Sequence, residues 1–149
     1  MGITLFWLGL IVLIPLLGVF LKAAGLGLGG IWQIWTEPRV LAALRLSFGT
    51  AFAAAAFNTV MGTWVAWVFV RYNFPGRRLF DAMIDLPFAL PTAVAGIALT
   101  ALYGGQGWIG QWLEPLGIKV AYTPLGIVVA LVFVGLPFVV RIVQPVLAE

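Results

Sequence analysis

The sequence predicts an all-α bundle: a polytopic membrane protein with about four transmembrane helices. Hydrophobic residues make up 63% of the 149-residue chain and charged residues only 9%, and the mean hydropathy is +1.12. Few polar side chains are therefore left to coat a water-facing surface. The charged residues fall between long uncharged runs, and those runs approach the ~20 residues that a helix needs to cross a bilayer.

Four apolar runs are the predicted spans. In chain order they cover about residues 4–21, 44–70, 86–103 and 122–141, within a single membrane domain of residues 1–149. Helices are expected because backbone groups facing lipid must be paired within their own segment. The first run could instead be a secretory signal. No Lys or Arg precedes it and its apolar core is long for a signal, so a retained helix is the preferred interpretation.

Three connections separate these runs. Residues 25–45 are glycine-rich at first and carry two tryptophans that suit a membrane interface, residues 71–85 hold three arginines and two aspartates, and residues 104–122 are again glycine-rich. Counts of Lys and Arg tie across the membrane. Because the three arginines are densely spaced, we expect residues 71–85 and both termini on the cytoplasmic side.

A stripe of small residues in the second run predicts close packing against another helix. In lipid, helices associate through close approach of small side chains and through occasional polar contacts. The stripe consists of Ser47, Ala51, Ala54, Asn58, Gly62 and Ala66. Asn58 is the one amide in a span, and a hydrogen bond between helices is favoured for it over contact with a transported solute.

Two prolines open the third run, so we expect a kink or break there. Pro87 lies at the first turn, where its missing N–H costs nothing, whereas Pro91 lies deeper and removes a helical hydrogen bond. Such irregular backbone is tolerated at membrane depth where it is buried in protein or borders an aqueous cavity, although prolines are also ordinary in membrane helices. The candidates for lining a translocation path are Pro87, Pro91, Thr92, Gly96, Thr100 and Asn58.

The fourth run carries its own interruption. Gly135 and Pro137 are expected to disturb an otherwise aliphatic helix, and Arg141 is expected to close the span. The remaining residues, 142–149, are then a tail that leaves the membrane.

Nothing in the sequence indicates an enzyme. The chain contains no cysteine and no histidine, and the predicted spans carry no buried acid or base, since Arg45 and Arg141 lie at their ends. We therefore expect no catalytic residue, cofactor or metal, and no nucleic-acid partner. A missing intramembrane charge also argues against an ion-coupled carrier or channel. Energy for transport would then come from a partner that hydrolyses a nucleotide.

Two stretches carry a family resemblance, RYNFPGRRLFDAMIDLPFALPTAVAGIAL at residues 71–99 and LGIKVAYTPLGIVVALVFVGLPFVVRIVQPVLAE at residues 116–149. They resemble the T-type permease subunit of bacterial sulfate/thiosulfate ABC importers, within a group of binding-protein-dependent permeases that includes molybdate permeases. The resemblance covers residues 40–149. The first forty residues resemble the family only in being a hydrophobic helix and a loop.

The resemblance implies a multi-pass subunit of the bacterial inner membrane with a cytoplasmic N-terminus. Its implied partners are a periplasmic sulfate-binding protein, a paralogous W-type permease, cytoplasmic ATPase subunits and membrane lipid. It also favours a pathway role for the third run. Backbone amides freed near Pro91 and Gly96, with the hydroxyls of Thr92 and Thr100, are candidate donors to the anion.

One departure from the family is expected to matter. Members carry a cytoplasmic loop that docks the ATPase shortly after a VQPVL-like stretch, and this sequence ends at Glu149, where that loop should start. The resemblance therefore implies the N-terminal portion of an importer permease, a fragment unable to transport by itself. The alternatives are a molybdate/tungstate-type permease and a truncated, non-transporting membrane scaffold.

Overall fold

The computed structural model describes residues 2–149, apart from the side chain of Leu5. These residues form helices and no strand, so the predicted all-α fold class is confirmed. The α-helices are α1 (Gly2–Thr36), α2 (Pro38–Arg71), α3 (Arg77–Ile84), α4 (Leu86–Ala89), α5 (Thr92–Tyr103), α6 (Gly110–Leu113) and α7 (Pro124–Ala148). A 3-10 turn, Glu114–Leu116, follows α6.

Within the described residues, α1, α2 and α7 are long and apolar enough to cross a membrane, and α5 is a shorter apolar helix. The assignment of four spans stays a prediction. The chain divides into two compact units, one ending at Arg45 and the other comprising Leu46–Glu149. Each unit is described by itself.

The first unit contains α1 and the start of α2. The predicted connection from residue 25 is wrong in its first part, because the backbone is helical on both sides of Gly27 and remains so to Thr36. Gly27 alone departs from helical geometry, with φ 62° and ψ 173°. Glycine adopts a positive φ at no steric cost, so one residue kinks the segment without ending it.

In the second unit, the buried side of α2 follows an every-fourth-residue pattern. Its buried residues are Thr50, Ala54, Asn58, Gly62, Ala66 and Phe69. The small-residue stripe is thus confirmed from Ala54 onwards, whereas Ser47 and Ala51 are exposed. This ridge packs on α7, since a Cβ on Gly62 would stand only 2.7 Å from Cγ1 of Val139.

Helix α7 runs without a break from Pro124 to Ala148. The prediction that Gly135 and Pro137 interrupt this helix is therefore wrong. The helix also continues past Arg141, which was expected to close the span. Prolines are tolerated in membrane helices when surrounding groups accommodate the lost hydrogen bond. Here Pro137 is among the most deeply buried residues, packed where α7 meets its neighbours.

Candidate functional site

The third apolar run is broken at Leu90 and Pro91. Helix α4 ends at Ala89 and α5 begins at Thr92, and the two intervening residues are extended, with φ −95° and ψ 131° at Leu90 and φ −55° and ψ 138° at Pro91. Proline supplies no N–H and disfavours helical geometry at the residue before it, which accounts for the extended Leu90, while the φ of Pro91 itself is close to the value that its ring imposes. The predicted break at Pro91 is confirmed.

This break exposes the start of α5. A helix start has no carbonyl for its first N–H groups, and in the described part of the chain no side chain caps this one. The unpaired amides are those of residues 92–94, because the amide of Ala95 already donates to the Pro91 carbonyl at 3.0 Å. Gly96 lies inside α5, where helical hydrogen bonding uses its amide. The freed donors therefore lie before Gly96 and not at it.

A groove of about 730 Å³ runs between α5 and α7. Gly96 and Thr100 contribute to its wall, together with Tyr103 at the end of α5 and Thr123 before α7. We call it the α5–α7 groove. The Thr100 hydroxyl donates to the Gly96 carbonyl at 2.8 Å, and the Thr123 hydroxyl donates to the Val120 carbonyl at 2.9 Å. Either hydroxyl can rotate out of its present bond and donate instead to a solute that accepts hydrogen bonds.

Asn58 lies away from that groove, in the contact between α2 and α7. It is 5% exposed, and its Nδ2 donates to the Leu131 carbonyl at 3.5 Å, the long limit for such a bond. Its Oδ1 is buried and has no partner among residues 2–149. A Cβ on Gly135 would overlap the Asn58 amide, so the glycine makes room for it. This geometry fits a helix–helix contact.

The remaining candidates are dispersed. Pro87 lines a separate apolar cavity of about 390 Å³ between α2, α3, α4 and α7. Pro91 and Thr92 are exposed at the break. Of the six sequence candidates, the structure brings Gly96 and Thr100 together in the α5–α7 groove, and neither Asn58 nor Pro87 lines it.

A cluster that the sequence analysis did not identify ties α3 and α4 to α7. Arg141 on α7 donates two hydrogen bonds to Asp85, from Nε to Oδ1 at 3.0 Å and from Nη2 to Oδ2 at 2.6 Å. Its Nη1 lies 2.8 Å from Oδ1 of Asp81 and 3.0 Å from Oε1 of Gln144. Such fork-shaped pairing fixes direction as well as distance. We call Arg141, Asp81 and Asp85 the Arg141 cluster.

Two sequence signals could have predicted this cluster. Asp81 and Asp85 are four residues apart, which places them on one face of a helical segment. Arg141 also ends the fourth predicted span, and four spans place it on the same side of the membrane as residues 71–85. Opposite charges at one membrane depth, on elements that must pack together, are candidates for pairing. The cluster is distinct from any metal site: within residues 2–149 no group of three His, Cys, Asp or Glu side chains converges.

Comparison with known proteins gives the family. No family model matches the chain. Curated relatives do: the sulfate transport system permease protein CysT of Synechococcus elongatus is 53% identical over 146 residues, covering 98% of this chain and 52% of the relative. The protein of the same name from Escherichia coli K12 is 48% identical over 149 residues, covering 100% and 54%. A probable CysT of Mesostigma viride is 46% identical over 147 residues.

The chain belongs to the CysT permease family. The resemblance found in the sequence is confirmed, and the aligned length corrects its extent, because similarity reaches through the first forty residues as well. The chain spans about half the length of the curated relatives it matches. Together with the apolar helices, the family makes the chain a multi-pass membrane protein.

Proposed function

We propose that this chain forms part of the membrane permease of an ATP-driven importer for sulfate or thiosulfate. The observation that carries the proposal is the identity of 46–53% over nearly the whole chain to proteins named as sulfate transport permeases. The molybdate or tungstate alternative is not favoured, because these relatives are named for sulfate. In this role the chain is not an enzyme, and a separate chain hydrolyses ATP.

The proposed partners follow from that role. A periplasmic sulfate-binding protein delivers the anion, a W-type permease completes the membrane pathway, and cytoplasmic ATPase subunits supply the energy. The sequence supports an external energy source, since the apolar helix α5 beside the groove contains no ionisable side chain except Tyr103.

We infer that the permease lies in the bacterial inner membrane with its N-terminus in the cytoplasm. Arg71, Arg77 and Arg78 lie close together in sequence, and cytoplasmic segments carry an excess of such residues. The Arg141 cluster supports placing Arg141 on the same side of the membrane as these three arginines, because its ion pairs put it at the same depth as Asp81 and Asp85. Four arginines then face the cytoplasmic side.

We propose the α5–α7 groove, with the break at Pro91, as part of the anion pathway. Sulfate carries two negative charges, so a conduit needs hydrogen-bond donors that hold it weakly enough to release it. Unpaired amides at a helix start, with the positive end of the helix dipole, supply such donors at residues 92–94. The hydroxyls of Thr92 and Thr100 lie on the same helix. Pro87 and Asn58 are proposed to act by shaping the helices around this path.

The sharpest test compares two threonines that make the same local bond. Thr100 Oγ1 donates to the carbonyl four residues earlier at 2.8 Å, and Thr59 Oγ1 on α2 does so at 2.8 Å as well. In the complete permease with its partners, we expect Thr100→Val, alone or with Thr92→Val, to reduce uptake of radiolabelled sulfate severalfold. Thr59→Val should leave uptake unchanged because Thr59 lies outside the groove.

Two measurements separate the levels of the proposal. If Thr92→Val with Thr100→Val leaves uptake unchanged, the pathway assignment is wrong while the importer role stands. Competition by unlabelled molybdate tests the role itself. Uptake that thiosulfate inhibits and molybdate does not is expected, and strong inhibition by molybdate would favour the alternative cargo.

A further inference from the structure

Two cavities of opposite character adjoin at Phe74. The apolar one, of about 390 Å³, lies between α2, α3, α4 and α7 and includes Phe69, Phe80 and Met83 in its wall. The polar one, of about 470 Å³, is lined by the turn before α3, by Arg77 and Arg78, and by Asp81, whose carboxylate pairs with Arg141. Phe74 belongs to both walls. The apolar cavity therefore opens beside a pair of arginines, and we call this cavity the apolar groove.

The apolar groove has an aromatic wall. The ring of Phe74 makes edge-to-face contacts with Phe69, at a centroid distance of 5.7 Å, and with Phe80, at 6.0 Å. These contacts hold three rings in series from the end of α2 to α3. On the other side, Phe133 and Leu136 of α7 complete the groove. Its volume is within the range of pockets that enclose a small molecule.

The arginines at the mouth have no acidic partner in the part of the chain that the structure describes. Both aspartates of the same segment, Asp81 and Asp85, are held by Arg141. Among residues 2–149, no carboxylate pairs with Arg71, Arg77 or Arg78, and Arg77 donates only to the neutral Asn73 side chain, at 2.7 Å. The Arg141 cluster thus leaves the positive charge of this segment free for a ligand.

We propose that this junction binds an anionic phospholipid, with its phosphate at Arg77 and Arg78 and one acyl chain in the groove lined by Phe74, Phe80 and Met83. The planar guanidinium suits a phosphate, and a groove at the membrane face is surrounded by lipid. Helix α3 has the matching form, since Leu79, Phe80 and Met83 follow the arginine pair at its start, and helices that rest on anionic membranes combine apolar and basic residues in this way. This proposal requires only that the chain lies in a membrane, and it holds whichever solute the permease transports.

The test uses the whole chain in bilayer nanodiscs of phosphatidylcholine and phosphatidylglycerol. One lipid at a time carries a photoreactive group on its acyl chain, and mass spectrometry maps crosslinks to the protein. We expect phosphatidylglycerol to crosslink to α3 and α7 well above phosphatidylcholine. Arg77→Gln with Arg78→Gln should lower this crosslinking, by about fivefold per arginine if each contributes as basic residues near anionic membranes do. Met83→Trp should block the groove and remove the crosslinks with the arginines intact.

The matched control removes two other arginines. Arg39 and Arg45 are both exposed and unpaired among residues 2–149, so Arg39→Gln with Arg45→Gln changes the net charge equally without altering a residue that lines either cavity. It should leave the crosslinks unchanged, and circular dichroism checks that each variant retains its helix content. Equal crosslinking of the two lipids, or crosslinks that survive both the double arginine substitution and Met83→Trp, overturns the proposal.

Discussion

At the scale of single residues, Gly62 marks a close approach of α2 to α7. An added Cβ would lie 2.7 Å from Cγ1 and 2.8 Å from Cβ of Val139, both parts of a branched side chain with little freedom to move. We expect Gly62→Ala to destabilise the packed chain by about 1–3 kcal/mol, the usual cost of overpacking a tight contact. Unfolding in mixed detergent micelles, followed by circular dichroism, measures the loss.

Gly49 on the same helix is the control for that prediction. A Cβ there meets nothing within 4 Å, so Gly49→Ala should be neutral or stabilising by roughly 0.5–1 kcal/mol, as alanine is in a helix interior. Equal stability changes for the two substitutions would show that α2 and α7 do not meet at Gly62.

Residue-scale expectations succeeded where they depended on size and spacing. The small residues Ala54, Gly62 and Ala66 are buried as their stripe predicts, because close approach selects for small side chains on whichever face packs. The start of the stripe was predicted wrongly, because Ser47 is exposed and Thr50 is buried. Thr50 hides its hydroxyl by donating to the Leu46 carbonyl at 2.8 Å, so its polarity does not keep it from the contact.

At the scale of elements, Arg141 positions α3. The guanidinium contacts both aspartates, one near the end of α3 and one between α3 and α4. These side chains are partly exposed, so solvent screens the pairs and their contribution to stability is no more than about 1 kcal/mol. Arg141→Gln should therefore leave the bundle folded but raise amide hydrogen exchange in α3 by up to about fivefold, with the increase smaller at high salt because screening already weakens the pairs.

Two further variants make that prediction specific. Lys119→Gln removes a positive charge from a residue outside the cluster, and exchange in α3 should not respond. The exchanged pair, Arg141→Asp with Asp85→Arg, should recover part of the protection because it restores opposite charges. Unchanged exchange in α3 after Arg141→Gln contradicts the positioning role.

The elements differ in how far the sequence could predict them. The break at Pro91 was predictable because a proline restricts the backbone of its own residue and of the one before, whatever surrounds them. The continuity of α7 across Pro137 was not, since it depends on which neighbours pack around the proline. For the same reason, the groove that joins Gly96 and Thr100 is a product of tertiary packing, although the helix face they share could be read from their spacing.

At the scale of the second unit, two contacts mark opposite ends of α7. Arg141 near one end reaches Asp85, just before α4, whereas the start of α7 shares the α5–α7 groove with Tyr103, at the end of α5. Between Pro124 and Arg141 an α-helix rises about 26 Å, close to the ~30 Å of a bilayer core. The segment from α4 to α5 therefore starts beside one end of α7 and ends at the groove beside the other, and we propose that it is a span even though α5 alone is short.

The connection around residues 72–76 should consequently lie on one side of the membrane and the connection around residues 104–109 on the other. The chain has no cysteine, so Pro75→Cys and Gln106→Cys each introduce a single thiol, both at exposed positions. With a membrane-impermeant maleimide, we expect Pro75→Cys to be labelled in inside-out vesicles and Gln106→Cys in spheroplasts, because arginine-rich connections are preferentially retained in the cytoplasm. Labelling of both from the same side contradicts the span from α4 to α5, and the reverse pattern keeps the span but inverts the proposed orientation.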